Sequence, residues 1–218
     1  MSLPIALQLY TLREETADDF VGTLEKVADL GYQGVEFAGF ADLKADELKS
    51  HLDRLGLKAV ASHTNINKLR DNIEGVIEYN LTIGNSYIVI PHATYQNKED
   101  YLTMADELNK FGEVLQENGL NLCYHNHAHE FDKFDGQYGL NLIYSNTDFD
   151  NLKAEIDTYW VKKAGLDPVS YMSQYKGRLP LVHLKDMDQE TGKFAEVGEG
   201  ILDMEAIIKQ AEADESTE

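Results

Sequence analysis

A chain of 218 residues that is 43% hydrophobic and 10% aromatic is long enough for one sizeable core and unlike a disordered polypeptide in composition. Its 19 basic and 39 acidic residues give a formal charge of −20, which repels a phosphate backbone and argues against nucleic acid as a partner. Cys123 is the only cysteine, so neither a disulfide framework nor a thiolate metal cluster is available, and a reducing compartment suits the chain.

No basic leader opens the sequence and no run of eighteen apolar residues interrupts it, so a cytoplasmic protein without a membrane partner is expected. Residues 5–10 read as a first strand, and Thr16 as the N-cap of a helix in which Phe20, Leu24, Val27 and Ala28 recur at helical spacing up to Leu30-Gly31. Strand 34–38, helix 46–55 with Gly56 as its stop, and strand 58–63 repeat the unit. Helix 69–81, the apolar strand 87–92 and helix 99–117 follow, and Asn118-Gly119 then leads into a fifth strand. Glycine after each helix and just before each strand is the punctuation of β/α units, and the strands are apolar enough to be buried on both faces.

Beyond these five units, 154–157 and 179–186 read as strands, 168–175 as the helix between them, and 203–213 as a seventh helix. Seven strand and helix pairs without a linker predict one α/β domain over residues 1–218, a (β/α) barrel. The competing reading is a doubly wound sheet, which no Gly-x-Gly-x-x-Gly or phosphate-loop motif supports. An eighth strand is not evident after the seventh helix, and the edge this leaves would need covering, for instance by a second copy in a homo-oligomer.

In a barrel the reactive groups gather where strands end, and here those ends carry Glu36, His63, His92, His125 with His127 and Glu130, Asp157, and His183 with Lys185. The stretch 122–130, Leu-Cys-Tyr-His-Asn-His-Ala-His-Glu, is the densest. Any one of these residues alone reads as an ordinary hydrogen-bonded polar group; together they point to a site. Asp157 and His183 lie in apolar strand contexts, where a charge is costly unless it is paired or metal-bound. Alternation puts Glu155 on the face of Asp157, and His183 on the face of Lys185. Carboxylates mixed with imidazole suit one divalent ion, Mn²⁺, Co²⁺, Zn²⁺ or Mg²⁺, with positions left open for a chelating hydroxy-ketone.

At these residues the chain resembles the xylose isomerase-like TIM barrels, specifically the sugar phosphate isomerase/epimerase group. The phrases that carry the resemblance are Tyr32-Gln-Gly-Val-Glu-Phe, Ser62-His63, Tyr124-His-Asn-His-Ala-His-Glu-Phe131, Glu155-Ile-Asp-Thr-Tyr-Trp160, Leu181-Val-His-Leu-Lys-Asp186 and Glu196-Val-Gly-Glu-Gly200. The resemblance implies a metal held by residues after strands five to eight. Carried over, the first three ligands fall on Glu130, Asp157 and His183. Many relatives place their glutamate earlier in strand five, so His125 or His127 is an alternative to Glu130. The fourth ligand, a glutamate on strand eight, has no counterpart; Glu196 and Glu199 read as loop acids.

The activity so implied is isomerisation or epimerisation of a keto-sugar or polyol, by proton abstraction next to the carbonyl through an enediolate. Glu130 would be the base, with His127 and Lys185 beside it in the catalytic set. Tyr10, Glu36, His63, His125 and Trp160 would contact substrate, and the lack of a basic cluster favours an unphosphorylated one. The alternatives are a dehydratase or lyase of the inosose dehydratase type, with His125, His127 or His129 as acid, and a non-catalytic sugar-binding barrel.

Overall fold

The computed structural model describes residues 3–215. Residues 1, 2 and 216–218, which the single-domain expectation includes, lie outside the described residues. The strands of the main sheet are β1 (Ala6–Gln8), β2 (Gly34–Phe37), β3 (Lys58–His63), β4 (Tyr87–Ile90), β5 (Asn121–His125), β6 (Lys153–Asp157) and β7 (Leu181–His183), arranged in chain order. The helices are α1 (Arg13–Asp18), α2 (Phe20–Asp29), α3 (Ala45–Leu55), α4 (Ile66–Ile83), α5 (Lys98–Glu117), α6 (Gly139–Ser145), α7 (Thr158–Lys163), α8 (Pro168–Met172) and α9 (Met204–Glu215). The fold is α/β, with parallel pairing of β1 with β2, β2 with β3, β3 with β4, β5 with β6, and β6 with β7. Among the described residues the main sheet has seven strands, and only a hairpin and α9 follow β7.

The chain forms two compact units. The first comprises the residues up to Pro91 together with Val114–Leu122. Its core joins Leu24 and Val27 of α2, Val35 and Phe37 of β2, and Leu48 and Leu52 of α3, all at most 1% exposed. Gly56 and Gly84 end α3 and α4 with φ of 68° and 74°, a left-handed conformation in which a Cβ is strained. The second unit comprises His92–Glu113 and the residues from Cys123 onward. Its buried residues include Leu108, Tyr124, Ile143, Ala154, Ile156, Val161 and Met172.

The structure corrects several expected elements. Thr16 does not cap α2: its hydroxyl donates to Leu12 O within α1, and Asp19 accepts Gly22 N–H at 2.9 Å as the cap. Helix α4 starts earlier than expected and is broken at Asn72 (φ −160°, ψ 72°), whose Oδ1 accepts Gly75 N–H and begins the helix again. The strand expected over 179–186 is only Leu181–His183, because Asp186–Met187 leaves the sheet to pair antiparallel with Phe194–Ala195. Helices α6 and α7 have no counterpart in the sequence reading; both are short, and α7 starts directly on a site residue, Asp157. Among the described residues no helix is long and apolar enough to cross a membrane.

Candidate metal centre

Within the second unit, strand register assembles the polar cluster. His125 stands opposite Glu155 across β5 and β6, and Asp157 opposite His183 across β6 and β7. Asn126 fastens the same strand ends: its Oδ1 accepts Asp157 N–H at 3.0 Å and its Nδ2 donates to Asp157 O at 3.4 Å. Its buried amide thereby fixes the backbone that aims Asp157.

His125 Nδ1 donates to Glu155 Oε2 at 3.0 Å, and His183 Nε2 lies 3.4 Å from Glu155 Oε1. His125, Glu155 and His183 offer ligand atoms all within 4.8 Å of one another. Ligands about 2.1 Å from a shared ion stand roughly 3–4 Å apart, a range the 3.0 and 3.4 Å separations meet, and one small divalent cation would draw the rest of the group slightly together. Asp157 lies beside this group. Its Oδ1 caps α7 by accepting Trp160 N–H at 3.0 Å. Its buried Oδ2 has no hydrogen-bond partner and lies 3.5 Å from Lys185 Nζ and 3.9 Å from both His125 Nε2 and His183 Nδ1. A buried acceptor without a hydrogen-bond partner is costly unless nearby cations or titratable groups offset it. Burial alone would raise the Asp157 carboxyl, but His183, His125 and Lys185 outweigh it and hold the group below the usual range.

Glu130 lies in different surroundings. The turn His129–Phe131 after β5 folds its carboxylate back, so that it accepts Tyr124 O–H at 3.0 Å and His127 N–H at 2.7 Å, with His129 Nε2 at 3.2 Å. The Tyr124 hydroxyl is also 2.8 Å from that of Tyr95. Burial pushes the Glu130 carboxyl up, opposed by His129, the His127 N–H and the Tyr124 hydroxyl. Of the expected ligands, then, Asp157 and His183 face each other, Glu130 sits in its own hydrogen-bonded niche, and the carboxylate in the metal-capable group is Glu155.

The imidazoles form a connected row, with ring separations of 4.6 Å for His183 to His125, 5.0 Å for His125 to His127, 5.3 Å for His127 to His92 and 5.2 Å for His92 to His129. Burial and then its histidine neighbours push His127 down to about 3, and burial chiefly also lowers His125 and His92. These three are neutral at physiological pH. Trp160 packs 5.2 Å from the His127 ring and 5.2 Å from the Lys185 ammonium.

The remaining expected residues belong to the first unit. There Glu36 and His63 pair at 2.9 Å, and Tyr10 is 61% exposed beneath the Arg13 guanidinium. Glu196 and Glu199, in the second unit, are exposed loop acids. Sequence spacing alone missed Asn126 and the contact of Glu155 with His125. The alternation of Glu155 with Asp157 was the available signal, but the contact depends on strand register.

Comparison with known proteins identifies the family. The family model of the xylose isomerase-like TIM barrel matches residues 24–215, and the chain belongs to that family. It is 27% identical over 187 residues to an inosose dehydratase of Clostridium perfringens, a match covering 75% of this chain and 56% of that enzyme. The chain spans about half the length of the curated relatives it matches. In structure it is similar to a sugar phosphate isomerase/epimerase of Parabacteroides distasonis, with a TM-score of 0.84 at 24% identity, covering 97% of this chain and 87% of that one. It is also similar to the IolI protein with a bound zinc atom, with a TM-score of 0.72 at 15% identity, covering 96% and 85% of the two chains. These structural likenesses show the fold.

Proposed function

We propose that the chain carries the metal-dependent site of a lyase that dehydrates a keto-polyol of the inosose type. The observation that carries this reading is the buried Asp157 Oδ2, which has no hydrogen-bond partner and is set among His125, His183 and Lys185. Likeness to inosose dehydratases supports it. Asp157, His183, His125 and Glu155 would hold one divalent ion, which when bound polarises a ketone and acidifies the neighbouring C–H.

The chain's own residues do the rest. Glu130, its carboxyl raised by burial, is more basic than an ordinary carboxylate and takes the proton beside the carbonyl. Lys185, with its cationic head toward Asp157, donates to the departing hydroxyl, so that a C–H and a C–O bond break, a C=C bond forms and water leaves. Burial in the second unit keeps competing water from Asp157 and Glu155, both 0% exposed.

One observation favours a second reading, epimerisation or isomerisation. His127, pushed down to about 3, is a poor acid, and an outcome that returns the proton to carbon needs no acid for a leaving group. Incubation in D₂O with Mn²⁺, Co²⁺ or Zn²⁺ and a keto-inositol, a 3-keto-glycoside or a ketohexose separates the two. Growth of enone absorbance supports the dehydratase. Deuterium incorporation with inversion and no absorbance supports the epimerase. Bound metal with neither change overturns both and leaves a sugar-binding barrel.

A further inference from the structure

The hairpin that leaves the sheet after β7 presents an aromatic ring to Lys185. Register pairs Met187 with Phe194, and the Lys185 ammonium lies 4.0 Å from the Phe194 ring centre, 5.2 Å from that of Trp160 and 5.4 Å from that of Tyr159. The three rings stand edge to face, with interplanar angles of 79°, 69° and 89°, so they wall the ammonium on three sides. Its fourth neighbour is Asp157 Oδ2.

The hairpin is tied down although Phe194 itself is 58% exposed. The Gly192 carbonyl accepts from both Tyr159 O–H at 2.9 Å and Lys163 Nζ at 2.8 Å. At the other end the Asp186 carboxylate accepts backbone N–H groups from Met187, Gly198, Gly200 and Leu202. A large aromatic ring held half in solvent by anchors on both sides is placed for a purpose other than core burial. A cation over a ring face is attracted by the ring quadrupole, which an aliphatic side chain of equal size lacks.

We infer that Phe194 is a positioning residue: it closes an aromatic box with Trp160 and Tyr159 that holds the Lys185 ammonium toward Asp157. Its catalytic consequence rests on the role proposed above for Lys185, whereas the box itself does not. A flexible lysine side chain has many rotamers, and the box selects those that put Nζ beside the carboxylate.

The test uses ¹³C reductive methylation of the full chain and NMR, with the Lys185 signal assigned by its absence in Lys185→Arg. In the wild type, ring currents displace the Lys185 methyl resonance upfield of the exposed lysines. Phe194→Leu removes most of that displacement and Phe194→Tyr keeps it, while melting temperatures confirm that both variants fold. With a turned-over substrate, Phe194→Leu lowers kcat about tenfold with little change in KM, and Phe194→Tyr restores it. An undisplaced wild-type resonance, or one that Phe194→Leu leaves displaced, overturns the box. Equal kcat for the leucine and tyrosine variants of an active enzyme overturns the positioning role. If no substrate is turned over, the reading under Proposed function fails on its own account and the resonance still decides the box.

Discussion

Asp157 and Asp186 are both fully buried and both held below the ordinary carboxylate range, yet they are satisfied by opposite means. Burial would raise each. For Asp186 the opposing groups are four backbone N–H donors, from Leu202, Met187, Gly200 and Gly198, at 2.8 to 3.1 Å. For Asp157 they are His183, His125 and Lys185, side chains that can move, titrate or bind another ligand. Gly200 shows how close the first arrangement is, since a Cβ there would collide with Asp186 Oδ1. Burial of a carboxylate therefore does not by itself mark a functional group. A carboxylate saturated by backbone anchors the chain, whereas one that faces titratable side chains is available for chemistry.

Three measurements bear on this contrast. The largest effect is expected for Asp186→Ala, which leaves four backbone donors without their acceptor and should lower unfolding free energy by about 4 kcal/mol, read from urea denaturation. A loss under about 1 kcal/mol would remove the distinction. Asp157→Asn should do the reverse. Asparagine caps a helix as well as aspartate does, so stability should change by less than about 1 kcal/mol, while divalent-metal affinity by calorimetry falls at least about tenfold. Unchanged affinity would show that Asp157 is only a cap.

The smallest effect is the pH dependence of Asp186. Its folded value is depressed below the unfolded value of about 3.9, so its carboxylate stabilises the fold above that pH, and the contribution is lost as pH falls through the folded value. The stability gap between wild type and Asp186→Asn should be constant from about pH 7 to 5 and close below about pH 4. A gap that persists into stronger acid would mean that hydrogen-bond geometry, not charge, does the anchoring.

Much of the architecture is legible in the residues themselves. Strand 58–63 and the helix stops at Gly56 and Gly84 follow from local composition, because apolar runs and left-handed glycines act within a few residues. Asp157 and His183 stand out for the same reason, a charge in an apolar strand. Three features that shape the site are not carried by side-chain patterning. The Glu155 contact with His125 exists only once β5 and β6 take their register. Glu130 is folded back by a three-residue turn so that its carboxylate accepts the His127 backbone N–H, a bond invisible to side-chain patterning. Phe194 meets Lys185 only because the hairpin carries it back over the lysine.

Trp160 is the chain's one tryptophan, and it touches both the imidazole row at His127 and the ammonium of Lys185. The protein therefore carries a single built-in lamp at its candidate site. All indole emission arises at one point, where the neighbouring imidazole and ammonium set its brightness and colour. Ion uptake, substrate entry or a swing of the lysine can be timed in a stopped-flow cuvette on unlabelled protein, with excitation at the red edge of the indole band and no second indole to subtract.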